Sequence, residues 1–180
     1  MTQAFALEHL TTAPPGAPPA APPAVVPDIA PMAPVVSPET PTRLPAEWVE
    51  VERVTISGEV IDRVVVGPNG VFAVHIDTDT RPVAIRPESG MYRAGVRTGD
   101  PVKRALRNTQ ALRAVLGAAD GELFPYPVLV TASHGDEHRL GRLLVVRPGR
   151  LAEALWRHPS RPLTRSARRR AVDELRALAG

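Results

Sequence analysis

The alternation of apolar and polar positions divides this chain into an unpatterned N-terminal quarter and a strongly patterned remainder. Between Trp48 and Ile56 the residues Trp48, Val49, Val51, Val54 and Ile56 interleave with Glu50, Glu52 and Arg53, a near two-residue period that predicts a strand, and Gly58 ends it. Two β-rich runs follow, Val64 to Val66 and Val71 to Ile76, and the Gly67-Pro68-Asn69-Gly70 between them supplies turn geometry, so the pair predicts a hairpin. Pairing of Gly67 with Gly70 around a two-residue loop sets Asp62 directly opposite His75 and puts Asp77 on the same face, because side chains alternate along a strand. A glycine bulge at the turn would shift that register.

Beyond the hairpin, Pro82 to Arg86 reads as a short edge strand and Met91 to Val96 as either a strand or a loop. Asp100 then caps a helix with Pro101 at its first position, the stripe Val102, Leu106, Thr109, Leu112 and Leu116 facing inward, and Gly117 closing it. Val128 to Ala132 and Leu143 to Val146 are apolar runs of buried-strand length, separated by a polar turn that holds His134, Gly135, Asp136, Glu137 and His138. Arg150 to Trp156 predicts a short helix ended before Pro159. Thr164 caps a last helix to Leu178 that turns Ala167, Ala171, Leu175 and Leu178 inward. The sum is an α/β domain: a small mixed β-sheet with a central β-hairpin, flanked by helices.

Composition changes the picture at the N-terminus. Of 21 prolines, 12 fall within Thr11 to Pro45, in a stretch built largely of Ala, Pro and Val whose one basic residue is Arg43. Such a segment buries too little apolar surface to offset its ordering entropy, so residues 1–45 are expected to be a disordered or polyproline-II tail, and a passive tether rather than a recognition motif. Residues 46–180 form the domain, since 180 residues with 43% apolar content allow one modest domain plus a tail. The start of the chain lacks the basic and continuous apolar regions of an export signal. No stretch reaches the roughly 20 apolar residues that span a bilayer, and a cytoplasmic location is the default expectation. The absence of cysteine excludes disulfides, thiol catalysis and thiolate metal sites.

Charge is unevenly placed. Residues 1–45 carry one basic and three acidic groups, which leaves 21 basic against 16 acidic in 46–180, a net +5 for the domain. From Arg139 onward 11 Arg face 3 acids, a basic end that suits DNA or another polyanion, because neutralising phosphates releases counterions. One Lys against 21 Arg, with abundant Ala and Pro, also suggests the codon bias of a GC-rich bacterium, and this weakens any argument from Arg abundance alone.

Three groups of residues are candidates for chemistry. Asp62, His75 and Asp77 can form a divalent-metal or proton-transfer site, the imidazole favouring a transition ion over magnesium; the plainer alternative is a solvent-facing polar stripe with Asp62 hydrogen-bonded to His75. His134, Asp136, Glu137 and His138 lack the order of a zinc hydrolase and read as a solvated turn. Asp77-Thr78-Asp79 lacks the glycine and terminal Glu of a calcium loop. Lys103, Arg104 and Arg107 share an exposed helix face that can track phosphates or simply be solvated. Arg165, Arg168, Arg169 and Arg170 crowd the N-terminal half of the last helix, where the helix dipole disfavours positive charge; polyanion contact and salt-bridged solubility, through Arg169 with Asp173 and Arg170 with Glu174, are both open. No phosphate-binding glycine loop and no Gly-x-Ser-x-Gly elbow is present. With seven aromatic residues a stacking platform is hard to assemble, and Trp48, Phe72 and Trp156 are assigned to the core.

The hairpin resembles the core of the nuclease-related domain, a family of the restriction-endonuclease-like PD-(D/E)xK superfamily. The resemblance is carried by Asp62, Val64 to Val66, Gly67, Pro68, Gly70, Val71 and Phe72, and by Asp100-Pro101-Val102-Lys103-Arg104, which looks like the opening of the family's helix behind the sheet. It spans roughly Trp48 to Leu178. His75 stands where the family has its second acidic residue, Asp77 where it has its Lys, and Arg104 where it has a Gln; the family's first helix, which brings a Glu toward the metal, is replaced by the Pro-rich tail. The resemblance implies a restriction-endonuclease-like fold and, with those replacements, a degenerate member that has lost hydrolysis and keeps nucleic-acid binding or an interaction role, with no cofactor. An active nuclease would hold Mg or Mn through Asp62 and Asp77, with His75 as the third site residue. A protein-interaction module that never meets DNA is the remaining expectation.

Overall fold

The computed structural model describes residues 44–119, 123–133 and 137–179. Residues 1–43 of the expected tail, and His134 and Asp136 of the polar turn, lie outside them. Three strands open the domain: β1 (Val49–Ile56), β2 (Glu59–Gly67) and β3 (Gly70–Ile76). Both joints are antiparallel, and the β2–β3 register runs from Gly67↔Gly70 to Arg63↔Val74, the expected two-residue hairpin without a bulge at its turn. A second sheet of β4 (Val83–Arg86), β5 (Gly90–Arg93) and β6 (Val96–Arg97) follows, then α1 (Asp100–Ala119), β7 (Pro125–Val130), β8 (Glu137–Leu140), β9 (Leu143–Val146), a 3₁₀ turn at Pro148–Arg150, α2 (Leu151–Arg157) and α3 (Arg165–Leu178).

The main sheet is six-stranded and mixed, in the order β1-β2-β3-β7-β9-β8. β3 and β7 are parallel, which requires a crossover, and α1 supplies it. Layers of apolar side chains hold helices to both faces. On one face Val51, Val64, Val66, Val71 and Ala73 meet Leu112 and Leu116 of α1 and Ala167, Ala171 and Leu175 of α3. On the other, Val65, Phe72, Val74, Val128 and Val146 meet Leu151 and Leu155 of α2. Full burial of each such aliphatic or aromatic side chain contributes about 1.5–3 kcal/mol, so these two layers dominate stability. The fold is thus α/β as expected, with three helices among the described residues.

The GPNG turn is also a clamp. Asn69 Nδ2 donates to the Leu155 carbonyl at 2.7 Å, and the Pro68 carbonyl accepts from Leu163 N at 2.8 Å, which ties the end of α2 and the start of α3 to the hairpin. Gly67 is required by close approach: a Cβ there would lie 2.5 Å from the Trp48 ring.

Several expectations need correction. The run from Pro82 does form the expected edge strand, β4, but in a small separate sheet where it pairs with Gly90–Arg93. Glu137 and His138 lie in β8 rather than a turn, because Leu140↔Leu143 closes a hairpin through Gly141, whose φ of 61° suits glycine. On α1, Leu106 is 41% exposed while Ala105 and Asn108 are buried, and the helix continues past Gly117. Trp156 is 59% exposed against the rim of the buried Trp48, 6.4 Å between ring centres, so it is no core residue. No described helix is long and apolar enough to cross a membrane.

Candidate functional site

The three residues that the hairpin was expected to align arrive in three different environments. Along β1 and β2 the register pairs Glu52 with Arg63 and Val54 with Ile61, skipping Arg53 and Asp62; Arg53 takes a φ of 53° there, a kink at the sheet edge. At the same point the β2–β3 ladder stops, and the Asp62 carboxylate accepts the Ile76 backbone N–H at 2.8 Å. Asp62 is half-buried and its Oδ2 does the work of a ladder carbonyl. It is not the partner of an imidazole.

His75 is fully buried on the α1 face of β3, and neither ring nitrogen has a hydrogen-bond partner. The solvent-facing stripe is therefore overturned. Alternation places polar residues outside only when one face of a sheet is wet, and β3 is a central strand covered on both faces. Burial drives the imidazole down from 6.5 to about 4; the Asp62 carboxylate pulls it up and the Arg104 guanidinium pushes it further down. At neutral pH it is an uncharged ring.

Asp77 is buried as well, and its acceptor capacity is largely used. Oδ2 takes Nη2 of Arg93 at 2.6 Å and the Thr131 hydroxyl at 2.9 Å, while Oδ1 takes the Asp79 backbone N–H at 3.2 Å. Arg93 is equally committed: Nη1 meets Asp79 Oδ2 at 2.9 Å, and Nε donates to the Arg81 carbonyl at 3.2 Å. Asp79 is held below the usual carboxylate range chiefly by the side-chain hydrogen bond from Arg81. This ion-pair node pins the small sheet, through β5, to the end of β3. Sequence reasoning missed Arg93, since nothing in the spacing of a β5 arginine announces a partner 16 positions earlier.

A divalent metal does not fit these positions. Magnesium or manganese needs converging carboxylate oxygens, whereas Asp62 serves a backbone amide, Asp77 an arginine, and His75 lies in the core. Among the described residues, no group of three or more His, Asp or Glu side chains could hold a metal ion.

The cations fall into two sets. Lys103, Arg104 and Arg107 are exposed on the first turns of α1, with Arg107 paired to Glu59 at 2.6 Å, and Asn108 donates to the Val60 carbonyl at 3.2 Å. These bonds fix that set at the start of β2, beside Asp62 and His75. Arg165, Arg168, Arg169 and Arg170 lie at the other end, because the residue before the α3 cap, Leu163, is bonded to Pro68 in the hairpin turn. Along the nine residues of β2 the two sets are roughly 25 Å apart. They do not form one track.

Arg165, Arg168 and Arg169 of the α3 set line a groove of about 590 Å³ against the outer strand β1. Val49, Val66 and Val172 form its apolar lining, Arg165, Arg168, Arg169 and Arg176 its cations, and Glu47 and Asp173 its acids. Arg169 approaches Asp173 only to 4.0 Å; Arg165, Arg168 and Arg176 form no ion pair among the described residues, and Nε of Arg168 is covered without a hydrogen-bond partner.

Searches of family models, curated proteins and solved structures find no match to this chain.

Proposed function

We propose that this protein is a non-hydrolytic nuclease-related module, of restriction-endonuclease-like architecture, that binds nucleic acid through its phosphates. The observation that carries the reading is the Asp77–Arg93 ion pair: at the position where the resembled family places a lysine, a buried carboxylate is bonded to a buried guanidinium and a threonine hydroxyl. A group so committed neither binds a metal nor activates water. Lys103, Arg104 and Arg107 remain at the surface beside the altered site, and they are the phosphate contacts of this reading.

The test has two parts. The full chain incubated with plasmid DNA and either manganese or magnesium is expected to leave it intact; metal-dependent cutting that disappears in Asp62→Ala would establish the active alternative, with Asp62, His75 and Asp77 as its site. Duplex DNA followed by fluorescence anisotropy is expected to bind with affinity that falls steeply as salt rises, and to be weakened by Lys103→Glu with Arg104→Glu. Binding that ignores both salt and those substitutions would overturn the phosphate-contact reading.

A further inference from the structure

The α3–β1 groove has a different chemistry from the α1 face. β1 is an outer strand of the main sheet, with no strand on its other side among the described residues, so it presents backbone donors and acceptors to a second chain. At Arg53, with its φ of 53°, the regular pairing with β2 is interrupted, which divides the strand. The near half starts at Val49, which lines the groove.

Two properties of the lining select the occupant. Four guanidiniums against two carboxylates favour an anionic ligand, and three of the four lack an intramolecular ion pair among the described residues. Valine side chains, with no aromatic ring among the lining residues, offer nothing for a base to stack on. They do suit the alternate side chains of an extended peptide, and a free strand edge recognises peptide backbone rather than phosphodiester. We propose that this groove takes an extended acidic segment of a partner protein, which adds beside Val49 to Glu52 of β1, sets its apolar side chains on the valines and places its carboxylates against Arg165, Arg168, Arg169 and Arg176.

The arginines fit this role better than a structural one. Arg165 and Arg168 stand in the first turn of α3, where the helix dipole makes positive charge unfavourable, and the first turn contains no acid to compensate. An incoming carboxylate compensates both the arginines and the exposed helix start.

The test uses the full chain and a fluorescein-labelled peptide repeating Glu-Ser-Val-Ser, which sets Glu and Val in turn along one face of the added strand, read by anisotropy. The peptide is expected to bind, a Lys-Ser-Val-Ser repeat is not, and Arg168→Glu with Arg176→Glu is expected to weaken binding by roughly tenfold or more, with circular dichroism confirming the fold. The same Glu-containing peptide N-methylated at alternate residues should lose binding to the unaltered protein, which isolates the strand pairing without any substitution. Lys103→Glu with Arg104→Glu should leave peptide binding intact, so this proposal and the nucleic-acid reading fail separately. An unmethylated peptide that does not bind overturns the proposal, as does equal binding of the N-methylated form. An oligothymidylate that binds in its place and is lost in the Arg168→Glu, Arg176→Glu variant would reassign the groove to nucleic acid.

Discussion

At the end of the main sheet where β3 runs into Asp77, ionisable groups are withdrawn from water and neutralised, either by an ion pair, as in Asp77 with Arg93, or by loss of the proton, as in His75. At the hairpin end Arg165, Arg168 and Arg176 line an open groove without an ion pair among the described residues, and the first two stand in a helix turn that disfavours them. The first arrangement leaves little charge for a ligand. The second sacrifices some stability and leaves charge available, the pattern expected of a binding surface. Residue type alone offered the carboxylates and imidazole as a candidate site and left the arginines open between polyanion contact and a salt-bridged face.

Breaking the buried ion pair gives the largest effect. Asp77→Ala leaves the buried Arg93 with only the partly exposed Asp79 as counter-ion, and chemical denaturation is expected to show a loss of about 3–4 kcal/mol. Pairing Asp77→Val with Arg93→Met removes both charges and is expected to recover most of that loss; a double variant as unstable as the single one would show that the node does more than neutralise charge.

The buried imidazole comes next. Its proton affinity is lowered on folding, so the unfolded chain binds a proton below about 6.5 while the folded protein resists until about 4, and stability present above 6.5 is lost as pH falls through that window. The difference amounts to about 3 kcal/mol. Urea midpoints measured across this range should fall more steeply in the unaltered protein than in His75→Leu. Parallel curves would mean that His75 is solvated.

The smallest effect sharpens the contrast from the other end. Arg165→Gln removes a positive charge from the first turn of α3, and thermal denaturation is expected to show a gain of about 0.5 kcal/mol. The same substitution should weaken the acidic peptide. A loss of stability would make Arg165 a structural residue.

Most of the elements were legible in the sequence because they depend on local rules. The alternation in Val49–Ile56, the Pro-Asn turn between two glycines and the Thr164 cap, whose hydroxyl accepts from Ala167 N at 3.1 Å, each act over a few residues. The charge surplus of the C-terminal part was legible for the same reason. Other features were decided only in the tertiary structure. Whether β3 had one wet face or none depended on where the crossover through α1 placed β7 and on which helices covered the sheet, and that alone turned His75 from a surface candidate into a core residue. The Asp77–Arg93 pair, the separation of the two cation sets and the groove beside β1 likewise depend on contacts between residues far apart in the chain. Periodicity specifies which side of an element a residue occupies; only packing decides what lies against that side.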